Sequence, residues 1–282
     1  MGMGAGAAGL AVSSGETARR LVEPSAGITR DPEAAANAAG SGRPSRVGMQ
    51  RAVWNTDPAG PFASITFDDG PTPEYTPRIL EILAAAGVRA TFFVMGYNAV
   101  QHPDVLREVV AAGHELGNHS WSHLNHATLD ADTIRTEIVR CRDEVEQLVQ
   151  QPLVGFRPPR GELTGWGLRV CAELGHDVVL WSCTRGPSGT STVDAVASWI
   201  GSTVQPGDII DLHDGLGRGT FSPSAPFTRD LAARREVEVQ ALPEALARIA
   251  DRGITLMPAT ELLARSAPEP LAGVRTAMTS GS

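Results

Sequence analysis

The sequence contains no lysine, since all 24 of its basic residues are arginine. A lysine amine is needed to form a Schiff base with a carbonyl substrate or with pyridoxal phosphate, and to hold phosphates in a Walker A loop. Enzymes that depend on such a lysine are therefore excluded.

Other residue types are scarce, and each shortage excludes a class of protein. The three cysteines (Cys141, Cys171 and Cys183) are odd in number and widely spaced, so we expect reduced thiols rather than a disulfide framework. No apolar run reaches the roughly 18 residues that a membrane-spanning helix needs. A net charge of −8 disfavours nonspecific nucleic-acid binding. Aromatic residues form only 5% of the chain, so few rings are present for a stacking surface.

The two ends of the chain differ in composition from its centre. Residues 1–48 and 266–282 are rich in small residues and proline without a helical or strand period, which predicts flexible tails around a single domain at 49–265. The first basic residue, Arg19, follows the apolar stretch, and that stretch is glycine and alanine rather than leucine. We therefore expect a cytoplasmic protein, with secretion as the alternative.

Short apolar runs alternate with amphipathic stretches through the domain. Strands are predicted near residues 62–67, 90–95, 115–118, 153–156, 178–181, 208–212 and 254–257, with helices at 75–86, 103–112, 168–174, 193–204 and 237–250 and another that starts near 130. This alternation favours a parallel sheet, because parallel neighbours need crossover connections. About seven such units in roughly 200 residues predict an α/β fold, a (β/α) barrel closed by helices, with an open doubly wound sheet as the alternative.

Two groups of candidate site residues follow strands in the first half of the domain. Asp68 and Asp69 end a strand before a Gly-Pro turn, and two adjacent carboxylates that repel each other need a neighbouring metal ion or arginine. His119 and His123 are four residues apart and share one face if the segment is helical, where they could bind one metal ion. Taken alone, each pair also has a structural interpretation, as a turn or as two unrelated histidines.

Two further groups follow strands in the second half. Arg157 begins the sequence Arg-Pro-Pro-Arg-Gly, in which the two prolines fix the backbone and would hold the guanidinium rigidly. Asp211 and His213 alternate along a strand and therefore point to the same face, where the carboxylate would raise the pKa of the imidazole. All four groups fall at the carboxyl ends of predicted strands, the edge at which α/β barrels assemble their sites.

Five features follow one another along the chain: TFDDGP, HSWSH, RPPRG, the strand with Trp181, and LHD. Their identity and order resemble the polysaccharide deacetylases, also called the NodB-homology domain or carbohydrate esterase family 4. The resemblance covers residues 63–263. It implies an irregular barrel and one divalent metal ion, most commonly zinc, held by Asp69, His119 and His123. Cobalt, nickel or iron would fit the same ligands.

The resemblance also implies a reaction, the hydrolysis of an N-acyl group such as an acetamido group by metal-bound water. Asp68 would be the general base, Arg157 would hold Asp68 ionised, and His213 would be the general acid that protonates the leaving amine. A backbone N–H near Arg160 would help to stabilise the oxyanion. The residues expected at the substrate are Arg160, Gly161, Trp181, Asp211 and Leu212.

Three positions depart from the family pattern. The residue before the glycine of RPPRG is usually aromatic and is Arg160 here. The strand with Trp181 is usually followed by an aspartate-rich stretch with a tryptophan, whereas residues 182–188 contain no carboxylate. The position two before His213 is usually a leucine that lines the acetyl pocket and is Asp211 here.

These departures can be linked. We hypothesise that Asp211 takes the place of the missing carboxylate and pairs with His213, or with Arg160 or Arg185. The two arginines would also suit a carboxylate or phosphate on the substrate. Residues 216–235 have no clear period and follow His213 directly, so they either cover the site, with Phe221 and Phe227 closing the pocket, or form a tolerated surface insertion.

Two substrate classes therefore stay open, an N-acetylated sugar or polysaccharide and a smaller, anionic amide. The family favours the polymer, and the departures favour the small amide. A non-catalytic relative that binds a carbohydrate or another ligand through a surviving metal site is the second function class. Retention of Asp68, Arg157 and His213 argues against it, because a binding module needs neither a base nor an acid. The oligomeric state is left open.

Overall fold

The computed structural model describes residues 50–186 and 192–266. The tail predicted at 1–48 lies outside the described residues, as does the tail predicted at 266–282 apart from Ser266, which bridges to Pro58. None of the described helices is long and apolar enough to cross a membrane. The three cysteines are buried and free, in agreement with the expectation of reduced thiols.

The described residues alternate between strands and helices. The strands are β1 (Ala52–Val53), β2 (Phe62–Asp68), β3 (Thr91–Val94), β4 (Glu115–Asn118), β5 (Val178–Val179), β6 (Cys183–Thr184), β7 (Ile209–His213) and β8 (Thr255–Met257). The helices are α1 (Thr76–Ala86), α2 (Gly96–Gln101), α3 (Pro103–Ala111), α4 (Ala131–Val149), α5 (Gly165–Leu174), α6 (Val193–Thr203), α7 (Pro226–Asp251) and α8 (Ala259–Arg265).

The strands form the irregular barrel that the sequence predicts. β2 lies at its centre and pairs in parallel with β3, with β7 and, at its amino end, with β8. Pairing continues from β3 to β4 and then, through single bridges at Phe156, to β5. β6 follows β5 along the chain and pairs with β7. The pairings between the named strands are all parallel, so the carboxyl ends of the strands gather at one edge.

Side-chain alternation separates an outer apolar layer from a polar interior. Ala63, Ile65 and Phe67 of β2 belong to the main hydrophobic core, which includes residues of the surrounding helices. The intervening residues Thr66 and Asp68 point to the opposite side, where both contact the buried Arg157. The interior of the barrel is therefore polar near its carboxyl edge.

Local signals explain where the helices begin and end. α1 ends at Gly87 in the left-handed conformation (φ 64°), which glycine adopts without the steric cost of a Cβ. The side chains of Asp130 and Thr164 accept backbone hydrogen bonds at the start of α4 and α5. These helices agree with the predicted ones to within a few residues.

The short elements β1, β6, α2 and α8 were not predicted, and two of the predicted elements differ clearly from the structure. Of the strand predicted at 153–156, only Phe156 forms bridges, to Asn118 and Val178. Helix α7 begins at Pro226 rather than near residue 237. Residues 226–236 are helical although they lack the long apolar stripe on which the prediction depended. The region 216–235 is therefore ordered as a short 3₁₀ helix (Gly217–Phe221) followed by the first turns of α7.

Candidate active site

Two adjacent carboxylates stand at the end of β2, in the middle of the carboxyl edge. Asp68 and Asp69 are each 3% exposed. Asp69 has a positive φ of 79°, which is uncommon for a residue with a Cβ, and the turn sends the two side chains to different partners. Asn98 of α2 donates from Nδ2 to the carbonyl of Asp69 at 2.7 Å and fixes the turn.

Asp68 is held by Arg157, whose side chain is wholly buried. Nη1 of Arg157 lies 2.8 Å from Oδ1 of Asp68 and 3.1 Å from Oδ1 of Asp211. The remaining donors bind the carbonyls of Val179 at 2.9 Å and Leu180 at 3.0 Å. Burial raises the pKa of Asp68, while the positive charge of Arg157 opposes that rise. One guanidinium thus fixes two carboxylates and the segment between β5 and β6.

The histidines of the second motif lie on an irregular loop after β4 and not on a helix. Ser120 and His123 have positive φ angles of 66° and 56°, so the chain folds back and brings the two imidazoles together. Nε2 of His119 and Nε2 of His123 lie 3.6 Å and 3.3 Å from Oδ1 of Asp69. The loop is tied down by buried Glu137 of α4, which accepts hydrogen bonds from the backbone and hydroxyl of Ser122 at 2.8 Å each.

The donor set of Asp69, His119 and His123 fits a divalent metal ion. One ligand atom from each lies within 4.8 Å of the others. Oδ1 of Asp69 is buried and has no hydrogen-bond partner among the described residues. His119 Nδ1 lies 2.8 Å from the carbonyl of Arg157 and can donate a hydrogen bond to it. The lone pair of Nε2 is then available to bind a metal ion. Burial lowers the pKa of His119 to about 4, so the imidazole is neutral, as a metal ligand must be.

Electrostatics also favour an ionised Asp69. Burial alone would raise its pKa, but electrostatic interactions with His123, His213 and Arg235 outweigh this and lower the pKa below the usual range. Arg235 of α7 binds the other carboxylate oxygen, Oδ2, at 3.2 Å. Two nitrogens and one carboxylate oxygen are the ligands typical of a catalytic zinc site, with a further position left for water or substrate.

His213 ends β7, the strand beside β2, and its Cα is the register partner of that of Asp68. Its Nδ1 and its backbone nitrogen each lie 3.1 Å from Oε2 of Glu238 on α7. Oδ2 of Asp211 is 4.0 Å from Nε2 of His213. Burial and Arg235 lower the pKa of His213, but Glu238 and Asp211 outweigh both and raise it to about 9. The imidazole is therefore protonated at neutral pH and can act as an acid.

Asp211 does pair with His213, as hypothesised, but only at 4.0 Å from Nε2, and it is not the carboxylate that binds Nδ1. The direct partner of Asp211 is Arg157, and Glu238 occupies the Nδ1 side of His213. Arg185 pairs with Glu238 at 3.1 Å, and Arg160 lies 3.6 Å from Glu162. Neither arginine is paired with Asp211 among the described contacts. Burial and the nearby Asp68 raise the pKa of Asp211 to about 7.

These groups face one cavity of about 600 Å³. The proposed catalytic and metal-binding side chains line it: Asp68, Asp69, His119, His123 and His213. Three further residues come from the loop and strand ends, Asp211, Arg160 and Trp181. The region 216–235 contributes Leu216, Gly217, Arg218, Phe227, Leu231 and Arg235. The region 216–235 therefore does border the site. Phe227 lines the cavity, whereas Phe221 packs its ring against Tyr97 at a centroid distance of 4.6 Å.

Two of the expected substrate residues lie elsewhere. Leu212 is buried in the outer core, because strand alternation turns it away from Asp211 and His213. Gly161 does not line the cavity but supports Trp181, since a Cβ at this position (φ 71°) would lie 2.8 Å from the indole ring. Trp181 and Arg160 do line the cavity, Arg160 with a side chain that is 64% exposed.

Comparison of the sequence and the structure with known proteins identifies the family of this chain. The sequence matches the polysaccharide deacetylase family over residues 55–179. It is 30% identical over 207 residues to a chitooligosaccharide deacetylase of Sinorhizobium fredii, across 73% of this chain and 94% of that relative. The chain belongs to the polysaccharide deacetylase family. A peptidoglycan-N-acetylglucosamine deacetylase of Bacillus cereus is 33% identical over 165 residues, across 58% of this chain and 77% of that relative.

A solved structure of the same fold is a CE4 family pseudoenzyme from Bacillus anthracis. It aligns with a TM-score of 0.65 at 23% identity, over 76% of this chain and 69% of that one. At this identity the likeness supports the deacetylase fold and not an activity. Whether this member of the polysaccharide deacetylase family is catalytic therefore rests on its own site residues.

Proposed function

We propose that this chain is a divalent-metal-dependent N-deacetylase that hydrolyses the acetamido group of an N-acetylated sugar. One observation carries the proposal. A candidate base, three metal-ligand atoms within 4.8 Å of one another and a protonated histidine all face the same cavity. Amide hydrolysis needs a base, a metal site and an acid, which Asp68, the Asp69–His119–His123 set and His213 would provide. Simple binding of a ligand needs neither the base nor the acid.

The chain's own groups divide the work of the reaction. When bound, the metal ion supplies a Lewis acid that polarises the amide carbonyl and lowers the pKa of water. Asp68, fixed through one oxygen by Arg157, accepts the proton of the attacking water on its other oxygen. His213 presents Nε2 to the cavity, since Nδ1 is held by Glu238, and it donates a proton to the departing nitrogen as the C–N bond breaks.

Two features support a sugar as the substrate. The volume of about 600 Å³ falls within the range of pockets that hold small organic ligands, and it suits one or two sugar rings. The indole of Trp181, supported by Gly161, offers an apolar face at the wall of the cavity. The relatives named above as deacetylases of chitooligosaccharide and of peptidoglycan N-acetylglucosamine agree with this substrate class.

A specific observation also favours a second substrate class, an acetamido sugar with an acidic substituent. Arg160 and Arg218 both line the cavity. The guanidinium of Arg160 is largely exposed, and Nη1 of Arg218 donates to the carbonyl of Ser122 at 3.2 Å, so both cations have donors left for a carboxylate or phosphate.

The non-catalytic alternative is less well supported. In the described parts of the chain, the candidate metal group contains only Asp69, His119 and His123. His126, which could have filled a further position, instead stacks its ring on Phe156 at a centroid distance of 5.9 Å. The set is therefore compatible with an open position for substrate, as catalytic sites require.

The test is acetate release from an N-acetylglucosamine oligomer by zinc-loaded protein, with Asp68→Asn as the blank. Asparagine can still accept from Arg157, so the variant should keep its fold and its metal content while losing activity by about 100-fold or more. Equal rates in the two proteins would contradict the assignment of Asp68 as the base. Absence of acetate release from metal-loaded wild-type protein on every acetamido sugar tried would contradict the proposed function.

A matched substrate pair separates the two substrate classes. The methyl glycosides of N-acetylglucosamine and N-acetylmuramic acid differ only in a lactyl ether with a carboxylate. A higher kcat/KM for the acidic glycoside, reduced to parity by Arg160→Gln together with Arg218→Gln, would support the acidic class. Equal turnover, or preference for the neutral glycoside and its oligomers, would contradict it.

A further inference from the structure

Helix α7 brings a carboxylate to the general acid from a part of the chain that the family motifs do not include. Oε2 of Glu238 lies 3.1 Å from Nδ1 of His213 and 3.1 Å from its backbone nitrogen. Glu238 is 2% exposed, so this contact is made away from water. The contact fixes both the position of the residue and the orientation of its ring.

The second oxygen of Glu238 is neutralised by two arginines. Oε1 lies 3.2 Å from Nη1 of Arg235 and 3.1 Å from Nε of Arg185. Burial raises the pKa of Glu238, but His213 and Arg235 outweigh it, and the net shift is downward. The carboxylate is therefore an anion that accepts from His213, and this keeps the proton of Nδ1 on the imidazole.

The same face of α7 also supports the metal-ligand carboxylate. Arg235 and Glu238 are one helical turn apart and point the same way. Arg235 donates from Nη2 to Oδ2 of Asp69 at 3.2 Å and from Nε to the carbonyl of Gly215 at 2.8 Å. One charged pair on one helix thus contacts both the metal-binding side and the acid side of the site.

We propose that Glu238 is the positioning residue of the general acid: it holds His213 as an imidazolium with Nδ1 directed at α7 and Nε2 directed at the substrate nitrogen. This role rests on the proposed deacetylase function. It also supplies the carboxylate that residues 182–188 lack. The charged groups that bear on His213 are Asp211 and Asp68 from the strands, Asp69 from the turn, and Glu238 and Arg235 from α7.

The decisive variant is Glu238→Gln, which has the same size but no charge. Its matched control is Glu236→Gln, on the same helix, where Glu236 pairs with Arg78 near the surface. We expect Glu238→Gln to lower kcat/KM on the acetamido sugar by about 10- to 100-fold, the range typical for loss of the hydrogen-bond partner that orients a metal-ligating histidine. Zinc content should be unchanged, and the control should keep wild-type activity.

Two readouts distinguish positioning of an acid from general damage. The first uses 4-nitrophenyl acetate, whose phenolate leaves without a proton, so the loss in Glu238→Gln should be far smaller on this ester than on the amide. The second is the pKa of His213, measured by NMR in the zinc-loaded protein. Without the carboxylate, this pKa should fall by about 1 unit or more, and the alkaline limit of amide hydrolysis should move down with it.

The outcomes separate this proposal from the proposed function. Equal losses on the ester and the amide, or an unchanged pKa of His213 in Glu238→Gln, would overturn the role of Glu238. The NMR measurement needs no turnover, so it decides the matter even if the wild-type protein releases no acetate. In that case a lowered pKa would support the contact, while the function assigned to the site would fail on its own.

Discussion

Oδ1 of Asp214 accepts a hydrogen bond of 2.9 Å from the backbone N–H of Gly70, and this bond joins the turn after β2 to the end of β7. Oδ2 of Asp214 accepts a second bond, of 2.6 Å, from the hydroxyl of Thr76. A Cβ on Gly70 would lie 2.0 Å from this carboxylate, so only glycine fits. The turn that carries the candidate base is thus fixed to the strand that carries the candidate acid.

Asp214→Ala should destabilise the protein markedly. It leaves the N–H of Gly70 and the hydroxyl of Thr76 buried without their acceptor, and each such buried group costs about 1–3 kcal/mol. We expect urea unfolding at pH 7 to give a free energy of unfolding at least about 2 kcal/mol lower than in the wild type. Asp230→Ala, at an exposed position of α7, serves as the control. Equal stability of the two variants would mean that the link contributes little.

Much of the barrel can be predicted because its signals are local. The apolar run of β2, the glycine that ends α1 and the cap residue of α4 each act within a few residues of their position. The same holds for the strand ends that carry Asp68 and His213. The loop of His119 and His123 is different, since its positive φ angles depend on anchoring by Asn118, Ser120 and Glu137 rather than on helical spacing.

The carboxylate at His213 could not be assigned from local pattern, because contact between β7 and α7 decides which acid reaches the ring. The sequence does carry a weak signal for it. Arg235 and Glu238 continue the buried stripe of Val239, Leu242 and Leu246 by one turn, where apolar residues would be expected. A charged pair at positions that extend a buried stripe indicates a polar partner inside the protein, although it cannot identify that partner.

Asp211→Asn should make the protein less sensitive to rising pH. The pKa of Asp211 is raised to about 7 in the folded state, above its ordinary value near 4, so the folded protein binds one proton more than the unfolded chain between these two values. The wild type therefore loses stability through this group as the pH rises from about 4 to about 7. Asparagine still offers an acceptor to Arg157 but does not titrate.

Urea unfolding of Asp211→Asn and wild type at pH 5 and pH 8 measures this effect. The difference in free energy of unfolding should shift in favour of the variant by about 1 kcal/mol or more between the two values. Groups away from Asp211 are common to both proteins and largely cancel, and the loss of the Asp211 charge beside His213 shifts the difference in the same direction. A difference that is the same at both pH values would show that Asp211 is ionised throughout, as a tight pair with Arg157.

Zinc should stabilise the chelator-treated protein through His123. A ligand that binds only the folded state, present at a concentration of about 100 times its Kd, adds about 2.7 kcal/mol to the free energy of unfolding. For a domain of this size, this raises Tm by about 5 °C or more. His123→Ala should lose most of this zinc-induced rise, because one of the three ligand atoms is gone. In the wild type, the ring of His126 stacks on Phe156 away from the cavity. The variant His126→Asn should therefore keep the zinc-induced rise in Tm, even if its Tm without zinc is lower. An equal rise in His123→Ala and wild type would place the bound zinc elsewhere.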